Sequence, residues 1–239
     1  MDPIVEISTC SFDCIYCQLG RIQRVTAERR EFIPAAWVRE DLRGVDWAAV
    51  DVVTISGSGE PTLATNLAAI IGEIRAATTK PILILSNATQ FSDPEVRRGV
   101  AGVDMIACKL DAPDDAMLAR INRPAPGISL EAIVRGIVEL RREFAGKLLL
   151  QVMFLPANIA EVEAWAPLIR RIGPDEVHLN TPRRPYPLGW YRASRGDHDS
   201  AACPFEKRQL KVVTPAEACW AEARLRELTD VPFVSVYRE

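Results

Sequence analysis

Pro81-Ile82-Leu83-Ile84-Leu85 is a continuous apolar run that stops at the small polar residues Ser86-Asn87-Ala88-Thr89. A strand without polar alternation is covered on both faces, the situation of a parallel sheet flanked by helices. Runs of the same kind lie on either side: residues 4–7 and 52–56 before it, and residues 105–110, 148–155 and 176–180 after it. Between them apolar residues recur at helical spacing. Leu67, Ile70, Ile71 and Ile74 form one stripe, Leu130, Ile133, Val134 and Ile137 a second, and Val162, Trp165, Ile169 and Ile172 a third. Each is a face made to pack on a sheet. Trp37, Val38 and Leu42 mark a shorter helix. Asp93-Pro94 reads as the cap and first residue of another. Six strand–helix units fall short of a closed eight-stranded barrel. The sequence therefore predicts an α/β fold, a partial (β/α)6 parallel barrel over residues 1–182, followed by a C-terminal extension over 183–239.

The 239 residues are 48% hydrophobic and 26% charged, with a net charge of −3. That composition supports a large core without disulfides. It argues against a strongly basic nucleic-acid binder. No run reaches the roughly 18–20 apolar residues of a membrane span, and the N-terminus has no basic region leading into an apolar one. The expected address is cytoplasmic, with no membrane partner. There, closely spaced cysteines are more often metal ligands than disulfides.

Three of the six cysteines fall in Cys10-Ser-Phe-Asp-Cys14-Ile-Tyr-Cys17; Cys108, Cys203 and Cys219 are scattered. A disulfide would pair two of the three and strand the third. A structural zinc site wants a fourth ligand, and neither His178 nor His198 stands at ligand spacing. An all-cysteine iron–sulfur site also wants a fourth cysteine. Three thiolates on a four-iron cluster would instead leave one iron open to a small molecule.

The C-x3-C-x2-C loop, with the aromatic Tyr16 before its third cysteine, resembles the cluster loop of the radical SAM superfamily. The resemblance implies a [4Fe–4S] cluster on Cys10, Cys14 and Cys17. Its open iron would bind the amino and carboxylate groups of S-adenosylmethionine. Reductive cleavage would then give a 5′-deoxyadenosyl radical that abstracts hydrogen from a substrate. It implies the partial barrel as well. The flanks Gln18-Leu19-Gly20-Arg21 and Glu28-Arg29-Arg30-Glu31 resemble a subgroup related to the wybutosine-synthesis enzymes, although no second close-spaced cysteine set is present. Similar proteins carry a short segment before the first strand, whereas this chain begins at Met1-Asp2-Pro3.

In parallel α/β folds chemistry collects at the C-terminal ends of the strands. Polar residues do gather there. Ser56-Gly57-Ser58-Gly59-Glu60-Pro61 comes after the second strand. Its glycines permit close backbone approach to a ligand, and Glu60 offers a carboxylate to an ammonium. The stretch resembles the family's GGEP motif with Ser58 at the first glycine, which implies contact with the amino group of the cofactor. Ser86 and Asn87 end the third strand, as cofactor contacts or a plain cap. Lys109 and Asp111 end the fourth; alternation puts them on one face, as ribose, carboxylate or substrate contacts or as an ion pair. Gln151 and Met153, then Asn180-Thr181-Pro182-Arg183, end the last two. Arg120, Asn122 and Arg123 form a loop that either meets an anionic substrate or is solvated. The candidate cofactor residues are thus Tyr16, Gly57, Ser58, Gly59, Glu60, Ser86, Asn87, Lys109 and Asp111; no residue is singled out as catalytic.

Residues 183–206 have little periodicity and read as a loop or lid. Its Tyr186, Trp190 and Tyr191, beside Arg183, Arg184 and Arg192, either seal the barrel or stack on a planar substrate. Thr214, Pro215 and Glu217 make a capping box for a helix over 214–228, and residues 232–237 a last strand. The expected partners are a one-electron donor such as flavodoxin or ferredoxin and a substrate that is a small molecule, a tRNA base or a protein. The alternative from a different class is a non-catalytic zinc or iron–sulfur module.

Overall fold

The structure is a computed structural model that describes residues 1–4, 7–191 and 205–236. Its centre is a six-stranded, all-parallel sheet. In spatial order the strands are β3 (Val53–Ile55), β4 (Ile82–Ser86), β5 (Met105–Lys109), β6 (Lys147–Met153), β7 (Glu176–Asn180) and β10 (Phe233–Ser235). Sequential neighbours pair in order, as short right-handed crossovers require. The register aligns the strand ends: Ser86 pairs with Cys108, Lys109 with Gln151, and Met153 with Asn180. All C-terminal ends therefore open on one rim.

The helical stripes do what their spacing predicts. On α2 (Leu67–Ala77), Leu67, Ile70, Ile71 and Ile74 are buried; on α5 (Leu130–Glu143), so are Leu130, Ile133, Val134 and Ile137. At about 1.5–3 kcal/mol per large apolar side chain, these faces hold the helices to the sheet. The third stripe begins in a 3-10 segment, Ile159–Ala164, and continues in α6 (Trp165–Ile172). Trp165 is fully buried, meets Phe154 edge-on at 5.9 Å, and donates its indole N–H to the Leu110 carbonyl at 2.8 Å. That bond satisfies the one polar atom of the ring and fixes α6 to the end of β5. α1 (Ala35–Leu42) buries Val38 and Leu42 and leaves Trp37 exposed. Asp93 caps α3 (Pro94–Gly99) by accepting from the Glu95 N–H at 2.8 Å.

One feature differs from the sequence reading. In β4, Ile82 and Ile84 are fully buried, but Leu83 and Leu85 are only half-buried. An incompletely closed barrel leaves its lumen partly open, and Leu85 faces that space. The predicted first strand, residues 4–7, includes residues 5 and 6, which lie outside the described ones. The described N-terminal strand is β1 (Thr9–Cys10), paired in parallel with β2 (Arg24–Val25).

The sixth strand of the sheet comes instead from the far end of the chain. β10 pairs with β7, so the extension returns to the sheet and covers an edge whose backbone would otherwise be unpaired. It arrives through α7 (Pro215–Leu228), whose capping box forms: Thr214 Oγ1 accepts from the Glu217 N–H, and Glu217 accepts from the Thr214 N–H at 2.7 Å. Arg224 on α7 reaches Glu163 at 2.7 Å, and Arg170 of α6 donates to the Leu228 carbonyl. Among the described residues no helix is long and apolar enough to cross a membrane.

Candidate functional site

The cysteine loop is short of regular structure, so its shape depends on where its backbone groups are satisfied. It is strapped along one side by the end of α4 (Asp115–Ile121) and the residues just after it. Asp13 N–H donates to Asn122 O at 2.9 Å, Ile15 N–H to Ile121 O at 2.9 Å, and Ala125 N–H to Ser11 O at 2.8 Å. On the other side Ser11 Oγ meets Thr89 Oγ1 at 2.7 Å and accepts from Asn87 Nδ2 at 2.8 Å. The loop also leans on the turn after β3: Thr9 N–H donates to Ser58 O at 2.9 Å, and Glu60 N–H to Thr9 O at 3.1 Å. At this contact a Cβ on Gly59 would sit 1.6 Å from the Thr9 carbonyl oxygen, so only glycine allows the approach.

The result is a cavity of about 400 Å³ at the C-terminal rim of the sheet. Cys10, Cys14 and Cys17 line it, with Tyr16, Gly57, Gly59, Glu60, Ser86, Asn87 and Lys109. Gln151 and Met153 of β6, Asn180 of β7, and Thr181 and Arg183 just beyond β7 complete the wall. The residues expected at the strand ends are therefore brought together from five separate stretches of chain.

Two of the three sulfurs receive hydrogen bonds from N–H groups. Phe12 N–H donates to Cys10 Sγ at 3.4 Å and Asn87 Nδ2 to the same sulfur at 3.5 Å; Asn122 Nδ2 donates to Cys14 Sγ at 3.3 Å. As bare thiols all three are held neutral. Burial pushes each up; the Glu60 carboxylate adds to this at Cys10, and burial with a smaller push from Asp111 takes Cys14 up to about 12. Metal binding must displace those protons, since the thiolate is the ligand. Among the described residues, no three His, Cys, Asp or Glu side chains converge on a point that would hold one metal ion. Around a single zinc, Zn–S bonds of ~2.3 Å draw sulfurs to within about 4 Å of one another. A four-iron cluster takes each thiolate on a different iron and holds the sulfurs farther apart. Three cysteines on one cavity wall, with N–H donors to the Cys10 and Cys14 sulfurs, fit that group by the chemistry of the donor set.

Several of the expected residues are also held by partners within the protein. Glu60 is buried and its carboxylate is committed to the protein: Oε1 accepts from Thr62 N–H at 3.1 Å, Thr62 Oγ1 at 2.6 Å and Ser86 Oγ at 2.7 Å, and Oε2 from Asn87 N–H at 2.7 Å. Burial raises its pKa against the pull of those four donors. Asn87 is equally engaged, its Oδ1 accepting from the N–H and hydroxyl of Thr89. Ser58 is not on the cavity wall; its hydroxyl turns away and donates to Asp2 at 2.8 Å.

Asp111 also stands behind the wall. It accepts from the Tyr16 hydroxyl, from Asn122 Nδ2 at 2.9 Å and from Met153 N–H at 2.9 Å. Lys109 reaches the cavity with its Nζ 5.1 Å from the Tyr16 ring centroid, and no ion pair joins it to Asp111 among the described residues. β5 ends at Lys109, so two-residue alternation stops there and the two side chains part. Asn122 is buried, not solvated, while Arg120 and Arg123 are exposed.

In the extension the aromatic residues pack. Tyr186, in β8 (Tyr186–Pro187), is buried beneath Arg208 of β9 (Lys207–Arg208), and Tyr191 stacks on Phe205 at 4.8 Å. Arg183 donates to the Val236 carbonyl at 2.5 Å and Arg184 to Gln18, which ties the extension to the cavity rim. Arg192, His198 and Cys203 lie outside the described residues. Cys108 is buried among apolar groups and Cys219 is exposed, both away from the loop.

Comparison with known proteins agrees with this geometry. Residues 5–169 match the family described as the radical SAM superfamily. The UPF0026 protein slr1464 from Synechocystis sp. is 45% identical over 217 residues, 89% of this chain and 81% of that protein. Among solved structures, SuiB of Streptococcus suis bound to precursor peptide SuiA superposes with a TM-score of 0.66 at 14% identity, over 98% of this chain and 48% of SuiB. This chain thus spans about half of that neighbour's length. TYW1 with a lysine–pyruvate adduct bound gives 0.64 at 16% identity, over 94% and 72% of the two chains. At such identities the likeness is one of fold, a parallel sheet with its strand ends at one rim. Sequence match, sheet topology and cysteine loop converge: the chain belongs to the radical SAM superfamily.

Proposed function

We propose that the chain is an enzyme that binds a [4Fe–4S] cluster on Cys10, Cys14 and Cys17 and cleaves S-adenosylmethionine reductively. The observation that carries this reading is the set of three cysteines, two of them with N–H donors to sulfur, on the wall of a cavity ringed by polar strand ends. A bound cluster would supply the electron for cleavage and an open iron for the methionine end of the cofactor.

This chain's own residues would hold the rest of the cofactor. Gly57 and Gly59 expose backbone to its amino group. Glu60, on the cavity wall with Oε2 accepting one bond, would offer that oxygen to the ammonium, while its four hydrogen bonds hold the turn in shape. Lys109 brings a cation to the cavity floor, suited to a carboxylate. Gln151 and Asn180 offer amides to the nucleoside part. The buried sheet and the packed extension limit water around the reacting centre. Electrons would come from a one-electron donor of the flavodoxin or ferredoxin type.

The test is anaerobic reconstitution with iron and sulfide. The reading predicts about four iron and four acid-labile sulfide per chain, and an electron paramagnetic resonance spectrum that changes when S-adenosylmethionine is added. Cys14→Ala should lose both. A chain that takes up one zinc and no sulfide contradicts it.

A further inference from the structure

Asn122 lies at the C-terminal end of α4, 1% exposed, and grips the cysteine loop twice. Its backbone carbonyl accepts from the Asp13 N–H. Its side-chain amide carries two N–H groups, and both are used: one on Cys14 Sγ at 3.3 Å, the other on Asp111 Oδ2 at 2.9 Å. The amide oxygen is buried with no hydrogen-bond partner. A buried orphan acceptor costs about 1–3 kcal/mol, so this orientation is one in which the two acceptors outweigh the oxygen. Turning the amide over would aim its oxygen at a carboxylate and a sulfur.

Asp111 is in turn held by the Tyr16 hydroxyl and by Met153 N–H at the end of β6. The Cys14 sulfur is thereby connected, through one amide, to a carboxylate anchored in the sheet. We propose that Asn122 is a positioning residue: it fixes the Cys14 ligand and, with the cluster bound, lends its sulfur an N–H hydrogen bond that sets the reduction potential. This rests on the cluster reading above. A donor to a ligating sulfur stabilises negative charge there and favours the reduced cluster. Losing it should therefore make the potential more negative. The same loss would leave the three cysteines in place.

The experiment is a redox titration of the reconstituted protein, monitored by electron paramagnetic resonance, in wild type, Asn122→Leu and Asn122→Ala, with iron and sulfide counted in the same samples. Leucine keeps the bulk and alanine removes it, yet both delete the donor. Both are expected to shift the potential in the negative direction. Loaded variants with the wild-type potential overturn the proposal and leave the cluster assignment standing. A wild type that holds no cluster fails the assignment itself. If the two variants load poorly, Asn122→Gln, which keeps the amide N–H, decides between donor and packing: recovered loading supports the proposal, and a glutamine variant no better than alanine overturns it.

Discussion

Replacing Glu60 with alanine tests how the cavity wall is held. The carboxylate is buried and accepts from two backbone N–H groups, Thr62 and Asn87, and from two hydroxyls, Thr62 and Ser86. The hydroxyls can turn toward other acceptors, but the two N–H groups are fixed by the backbone and would be left buried and unpaired. Each such orphan costs about 1–3 kcal/mol. Against this, removing the acid relieves the burial that raises its pKa. The balance is a loss of about 2–4 kcal/mol, a large share of the ~5–15 kcal/mol that holds a domain together. Glu60→Gln should cost less, about 1–2 kcal/mol, because its amide still accepts on one side but places an N–H against a donor on the other. Urea unfolding of the cluster-free chain measures both. Losses below about 0.5 kcal/mol in the two variants would refute the claim that Glu60 is a structural acceptor.

Gly59→Ala would force a Cβ onto the Thr9 carbonyl and part the two hydrogen bonds that join the loop to the turn; a loss of about 3 kcal/mol is expected in the same assay. Gly72→Ala, exposed in the middle of α2 with open space around it, should instead gain about 0.5–1 kcal/mol. Lys109→Met should weaken S-adenosylmethionine binding to the loaded protein roughly tenfold or more, the value of a charge-assisted contact, and an unchanged affinity by calorimetry would remove Lys109 from the cofactor site. Burial pushes Asp104 up, but the Ile82 N–H and the Arg75 guanidinium outweigh it and hold its carboxyl below the usual carboxylate range. Its stabilising contribution is thus present above pH ~4 and lost as pH falls through the lowered value. Wild type should exceed Asp104→Asn in stability at pH 7, with the gap closing below pH ~4.

The features of the molecule that could be read from the sequence are those with a period or a motif. Unbroken apolar runs such as 81–85 located the strands, and the stripe on α5 located a buried face, because burial on a sheet imposes both patterns. The three cysteines and the polar strand ends were legible for the same reason: chemistry in a parallel fold is confined to one rim. What a side chain does once it is there was not legible. Glu60 and Asn87 stay on the cavity wall but are held by partners behind it, and Ser58 turns away, outcomes set by contacts with Ser86, Ser11 and Asp2, which are distant in the chain. Lys109 and Asp111 part because the strand ends between them. Asn122 had only the appearance of a loop residue, since nothing local signals a partner 108 positions upstream. The closing strand at 233–235 was visible, but its place beside β7 was not, because edge pairing depends on which edge is left open.

The central claim is tested most directly by incubating the anaerobically reconstituted protein with S-adenosylmethionine and dithionite and measuring 5′-deoxyadenosine by chromatography. The account predicts that 5′-deoxyadenosine forms with the wild type and is absent with Cys14→Ala. A fully loaded wild type that forms none, or equal formation in the two, would contradict it.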